Sequence, residues 1–358
     1  MATHYGQNID VEIYGGSHEE RIGVIIKGLP IGFKIDEEKL LAFLSRRAPG
    51  NNEFSTPRKE ADLPVFLEGV TDGVITENTV HAVVYNKNQR SKDYQKDSFI
   101  PRPSHADFAA RMKYGKDVDL RGGGHFSGRL TAPMCIAGGI CLQILEQKGI
   151  HIGAQLYSVG NALGKAFDSI NVSKSDFDAI HGKDFPTLSN ESAELMKAEI
   201  LSAKQDGDSI GAIIECAAIG LPIGLGEHMF SGVENRISSI VFGIPAVKGI
   251  EFGNGFECAK LRGSKNNDAF YTDGEKVFTK TNNAGGILGG MTSGMPLIFR
   301  AAMKPTPSIF IEQDSVDLDS MTNTKLKING RHDPCVAVRA VPVFEAAAAI
   351  AIFDMLCD

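Results

Sequence analysis

No stretch of 18 apolar residues exists in this chain, and its opening, MATHYGQNIDVEIYGG, lacks the basic-then-apolar order of a secretory leader. Neither membrane insertion nor export is expected, and the expected compartment is the cytoplasm. Also missing is any C-x-x-C pair among the six cysteines Cys135, Cys141, Cys216, Cys258, Cys335 and Cys357, which argues against zinc and disulfides. Four of these cysteines sit in apolar runs and read as buried thiols. P-loop and G-x-G-x-x-G spacings are absent, so a Walker ATPase and a Rossmann dehydrogenase are both disfavoured. Basic residues are in deficit: 37 Lys and Arg face 44 Asp and Glu, a formal net charge of −7. A nucleic-acid surface is therefore not expected, and an anionic ligand would have to be met by local arginines. With no short-period repeat and no low-complexity linker, residues 1–358 read as one interwoven domain.

Glycine, by contrast, is abundant at 39 of 358 residues. It concentrates in NNAGGILGGMTSGMPLIFRAAMKPTPS, which begins at Asn282 and contains Gly285, Gly286, Gly289, Gly290 and Gly294. Glycine inside a helix or strand costs roughly 0.5–1 kcal/mol relative to alanine, so such a run signals tight turns or close approach of backbone to a ligand. Asn282, Asn283, Thr292 and Ser293 add short polar groups, and Lys304-Pro305-Thr306-Pro307-Ser308 sets a cation in a stiff, extended frame. The stretch reads either as a cradle for a flat, phosphorylated ligand or as a glycine-rich connector between strands.

Apolar periodicity predicts strands over 9–14, 22–27, 64–68, 80–85, 152–159, 210–218, 246–252, 256–261, 296–303 and 336–340. Helices are predicted over 36–47, 105–114, 127–147, 191–204, 230–242 and 343–356. Asp36 and Ser104 are the expected N-caps of the first two. Gly253-Asn254-Gly255 reads as a hairpin turn, and 51–62, 86–99 and 262–280 as polar loops. Hairpin-clustered strands without regular βαβ alternation predict an α+β fold with largely antiparallel sheets.

Several short motifs carry candidate chemistry. His18 follows the turn Gly15-Gly16-Ser17, and His105 falls in Arg102-Pro103-Ser104-His105 at a helix start, where anions are favoured. An imidazole titrates near neutrality and can carry a proton. Arg121-Gly122-Gly123-Gly124 opens a second glycine cradle, and Arg331-His332-Asp333 forms a polar wall before Pro334. Each could also be an ordinary exposed loop.

Taken in order, GGSH at Gly15, RPSHADF, RGGG, NNAGGILGG with KPTPS, and GRHDPCVAVRAVPVFEA resemble chorismate synthase over nearly the whole chain. The resemblance implies a β-α-β sandwich with helices between antiparallel sheets. It implies a shikimate-pathway lyase that eliminates phosphate 1,4-anti from 5-enolpyruvylshikimate 3-phosphate, using reduced FMN without net redox change. A homotetramer, a separate flavin reductant and NADP as an associated nucleotide are further implications. His18, His105 and Asp333 match catalytic positions, and Arg47, Arg102 and Arg129 match anion-holding ones. Ser127, Ala246, Gly289, Lys304, Pro305, Thr306, Ser308 and Arg331 match flavin-contacting segments.

The chain departs from the family pattern at Gly16, where a Glu is usual. In GGGHFSGRLT, His125, Phe126 and Leu130 replace an Arg, a Ser and a Glu. Glu53 stands where an anion-contacting Arg is usual, with Arg58 and Lys59 nearby. These departures motivate a second reading, a flavin-binding paralogue without lyase activity.

Overall fold

The computed structural model describes residues 1–50, 54, 62–86, 99–328, 330 and 332–357. Two five-stranded sheets frame it. The first joins Ala2–Tyr5, Asp10–Gly15, Arg21–Lys27, Thr79–Tyr85 and Val65–Glu68, in that spatial order. The second joins Val247–Phe252, Leu297–Met303, Ala212–Ile219, His151–Val159 and Ala162–Leu163. All these pairings are antiparallel; Val24, for example, faces Ile13 on one side and Ala82 on the other. The expected antiparallel α+β sandwich is what forms.

The layer between the sheets is helical. Thr131–Gln147 packs on the first sheet, and the C-terminal helix Ala337–Leu356 packs on the second and on Thr131–Gln147 itself. Both helices are apolar almost all round, which suits an element buried on every side. By length and composition the segment Gly128–Gln147 would also pass for a membrane span, but 89% of it is buried inside the protein. A Cβ on Gly138 would fall 2.3 Å from Ala346 Cβ, and one on Gly139 would fall 2.6 Å from Leu40 Cδ1. The glycine pair thus lets one helix close on two others, with Glu37–Arg47 as the third. Charges inside this layer are matched. Arg46 donates both Nη groups to Glu345 at 2.6 and 2.8 Å, and Asp354 Oδ1 accepts from the N–H groups of Gln7, Asn8 and Ile9.

Four local expectations are corrected. Val336–Ala340 is not a strand: Ala337–Ala340 form the first turn of the C-terminal helix, which continues through Pro342 because burial on all sides outweighs β-branched propensity and one lost hydrogen bond. Gly253-Asn254-Gly255 does not turn a hairpin. Its N–H groups bond to Ile298 O and Asn283 O, and Gly255–Lys260 is a 3₁₀ turn. Residues 262–280 contain a small hairpin, Phe270–Thr272 with Val277–Thr279. Ser104 does not cap a helix, since its φ of 58° turns it away and the helix is Asp107–Tyr114. Asp36 does cap, accepting from Lys39 N at 3.0 Å.

Candidate active site

The two central helices run in the same direction, and their N-terminal ends open onto one cavity of about 930 Å³. Leu130, Thr131 and Met134 line it from one helix and Val336, Arg339 and Ala340 from the other. The turn after Asp10–Gly15 brings in Ser17 and His18. Ser17 fastens that turn to the RGGG loop: its N–H donates to Gly124 O at 3.1 Å and its hydroxyl to Arg121 O at 2.8 Å. Gly122 has φ +57°, and a Cβ there would sit 2.3 Å from His18 Cε1, so only glycine lets the loop close over the imidazole. The Ser17 hydroxyl spends its hydrogen on Arg121, so His18 Nδ1, 3.2 Å from Ser17 Oγ, is the donor of that pair. Proton exchange then belongs to Nε2.

His105 is held by the same logic. Its Nδ1 lies 2.7 Å from Asp107 Oδ1 and 3.2 Å from Arg102 Nη2. A bare ring nitrogen at 2.7 Å from a carboxylate would repel it, so Nδ1 carries the hydrogen and donates to Asp107. Arg102 grips the same carboxylate through Nε at 2.7 Å and Nη2 at 2.8 Å. Burial resists ionisation of Asp107, but the hydrogen bonds from Arg102 and His105 outweigh it and hold the carboxyl well below the usual range. His105 Nε2 is the remaining proton-exchanging atom.

Asp333 lies across the cavity wall, where Arg339 Nη1 donates to its Oδ2 at 2.7 Å. Arg339 Nε also donates to Arg47 O. Arg47 and Arg129 share one carboxylate, Asp62. Arg47 Nη1 donates to Asp62 Oδ2 at 2.5 Å, and Arg129 Nη1 donates to Asp62 Oδ1. All three side chains are at least 95% buried. Burial pushes against the Asp62 charge, and the two guanidiniums more than offset it and lower its pKa. His332 lines the cavity beside Asp333; burial and then the Arg102 charge lower its pKa.

Of the expected flavin-contacting residues, Ser127, Ala246, Lys304, Thr306 and Ser308 line this cavity. Ala246 has φ +77°, an uncommon value for a residue with a Cβ, and its carbonyl accepts from Lys304 N. Lys304 Nζ donates to Ser104 O, and Arg102 Nη1 approaches Ser308 Oγ at 3.4 Å. Pro305 does not line the cavity; its ring lies against Gly211. Gly289 is also outside it, in the turn between Ile287–Leu288 and Met291–Thr292. Backbone approaches the glycine run closely, and the KPTPS end lines this cavity. A Cβ on Gly285 would be 2.4 Å from Gly253 N, and one on Gly286 2.4 Å from Pro296 O. Arg331, Glu53, Arg58 and Lys59 lie outside the described residues. Of the departures from the family pattern, His125 Nδ1 donates to Gly15 O at 2.9 Å, bracing the turn that carries His18. Phe126 and Leu130 add apolar wall.

Asp62, Asp107 and Arg339 are the site residues that sequence reasoning missed. Asp107 stood in the quoted RPSHADF motif, two residues after His105, and that spacing was its available signal.

Two imidazoles, each with one nitrogen fixed by a neighbour, line one cavity together with Arg47, Arg102, Arg129 and Arg339. Such an arrangement is able to exchange protons beside a bound anion. Residues 9–357 match the family model for chorismate synthase. The chain is 43% identical to a chorismate synthase of Lancefieldella parvula, covering 99% of this chain and 96% of that protein. It is also 43% identical to one of Thermococcus kodakarensis, covering 98% and 96%. A crystal structure of a chorismate synthase superposes with a TM-score of 0.77 at 27% identity, covering 98% of this chain and 92% of that one. The chain belongs to the chorismate synthase family, and it is a lyase of the shikimate pathway.

Proposed function

We propose that the cavity binds reduced FMN together with 5-enolpyruvylshikimate 3-phosphate, and that His18, His105 and Asp333 carry the protons of a 1,4-anti elimination of phosphate. The observation behind this reading is that a single cavity gathers all three groups with Arg47, Arg102 and Arg129. Its volume, about 930 Å³, is at the upper end for a single-ligand pocket, which suits two ligands side by side. The donor set also fits a flavin phosphate and ring edge: Lys304, Thr306, Ser308 and Ser127 supply one ammonium and three hydroxyls.

Reduced FMN, when bound, supplies electron density to the substrate's allylic system without net redox change. The protein's part is electrostatic and protonic. Arg102, already oriented by Asp107, presents a fixed guanidinium to the departing phosphate. Nε2 of His105 and Nε2 of His18 are the atoms through which a proton passes, to the leaving group and to the bound cofactor. Asp333, pinned by Arg339, accepts the proton lost from the ring carbon of the substrate. Met134, Phe126, Val343 and Ile244 give the cavity an apolar wall, and the low dielectric beside it strengthens each of these interactions.

Residues 1–358 are read as one domain working in the cytoplasm, fed by a separate, NADP-linked flavin reductant. A homotetramer is supported by exposed apolar side chains on one run of the chain, with Ile223 at 72% and Phe230 and Phe256 each at 82% exposure.

Anaerobic incubation of the purified protein with photoreduced FMN and 5-enolpyruvylshikimate 3-phosphate tests the reading. Phosphate and chorismate should appear in equal amounts; a protein that binds reduced FMN but releases neither would be the non-catalytic paralogue.

A further inference from the structure

Strand Thr79–Tyr85 pairs with Arg21–Lys27, and the ladder runs one residue past its end, where Asn86 N donates to Glu20 O at 2.9 Å. That bond sets the Asn86 backbone beside the turn that carries His18. Its side chain then makes two links at once. Nδ2 donates to Glu19 O at 2.7 Å and reaches Gly16 O at 3.4 Å, so it holds the turn on both sides of His18. Oδ1 accepts from Arg129 Nε at 3.0 Å. The amide has one workable orientation: turned over, it would set its N–H groups against the Arg129 donor and its oxygen against two carbonyls. Asn86 is half-buried and does not line the cavity, whereas His18 and Arg129 both do.

We propose that Asn86 is a positioning residue that couples the proton-exchanging imidazole of His18 to the guanidinium of Arg129 through one side-chain amide. It touches no reacting atom. Its donor end sets the turn from Gly16 to Glu19, and with it the direction of His18 Nε2. Its acceptor end fixes the plane of the Arg129 fork. Groups joined in one hydrogen-bond network respond together, so a shift at either end is passed to the other. The turn is also fastened at Gly15 O by His125 and at Ser17 by the RGGG loop, so loss of Asn86 displaces His18 without unfolding the turn. The inference rests on the roles given to His18 and Arg129 above.

A double-mutant cycle with saturating reduced FMN tests it. Asn86→Ala should lower kcat about tenfold and raise the KM for 5-enolpyruvylshikimate 3-phosphate about threefold. In a His18→Ala background the same change should raise KM again but leave kcat within about twofold, because the residue through which it acts on kcat is gone. A role in the fold alone predicts the same kcat loss in both backgrounds, and that result overturns the proposal, as does a folded Asn86→Ala with kcat and KM near the parent values. If Asn86→Ala does not fold, Asn86→Ser takes its place in the cycle, since a hydroxyl is too short to reach both partners. The link is also read without turnover, from the His18 ring signals of protein carrying isotopically labelled histidine, identified by their loss in His18→Ala. Arg129→Lys, which removes the Nε donor, should shift these signals in the parent chain and leave them unmoved in the Asn86→Ala background; no shift in the parent chain overturns the link. Absence of turnover in an unaltered chain whose His18 signals do respond counts against the assigned reaction, not against Asn86.

Discussion

His105 Nδ1 stands 2.7 Å from Asp107 Oδ1, and Arg102 closes on the same carboxylate from its other side. The imidazole is thereby fixed in one tautomer and one plane. His105→Ala should lower kcat by about 10²–10⁴-fold while thermal melting is little changed, because the side chain lies at the cavity edge. Asp107→Asn keeps the imidazole but frees its tautomer and releases Arg102. Its kcat should also fall, with a shifted pH–rate profile. Stopped assays of chorismate formation across pH check both; near-normal turnover in His105→Ala would remove that residue from the chemistry.

Lys304 donates to Ser104 O beside the cavity, and burial followed by the Lys248 charge lowers its pKa. A partly desolvated ammonium gains most from an anion. Lys304→Ala should weaken FMN binding about tenfold or more, read by flavin fluorescence titration, with kcat at saturating FMN less affected.

Glu345 gives the acid limit of the fold. Burial alone would raise its pKa; the Arg46 fork and His181 more than offset this and hold it at about 2, against an ordinary 4.5. A depressed folded pKa means that its stabilisation is fully present above pH 4.5 and is lost as pH falls toward 2. The melting temperature of the parent should therefore drop across that window. Glu345→Gln strands Arg46 and should cost about 3–5 kcal/mol near neutral pH. Its melting temperature should then depend less on pH between 4.5 and 2, as differential scanning calorimetry would show.

Cys135, Cys141, Cys216 and Cys335 are buried, whereas Cys258 and Cys357 are exposed. Burial pushes the Cys135 thiol up to about 12 and Cys335 to about 11. A thiol reagent should titrate two groups in the native protein and six after denaturation. More than two fast-reacting thiols would contradict the packed helical layer.

Much of this was legible in the sequence because it is written locally. Short apolar runs mark Arg21–Lys27 and Leu297–Met303, a cap marks Glu37–Arg47, and short motifs mark His18, His105 and Asp333. The rest depends on what the chain meets in space. Asp62 sits in a polar stretch that reads as solvated loop, and nothing near it shows that two arginines from distant elements bury it. Gly285 and Gly286 look the same whether backbone or ligand approaches them; here backbone does. Ala337–Ala340 carry a strand-like pattern that only complete burial converts to helix.

Gly138 lies about two turns from the mouth of its helix, where bare backbone rests on Ala346. The helices it brings together carry opposite walls of the cavity at their near ends. One added methyl there would work as a wedge between levers, spreading Arg129 from Asp333 without touching either. If the proposed site holds, a larger side chain at Gly138, remote from any ligand, should register first as weaker substrate binding.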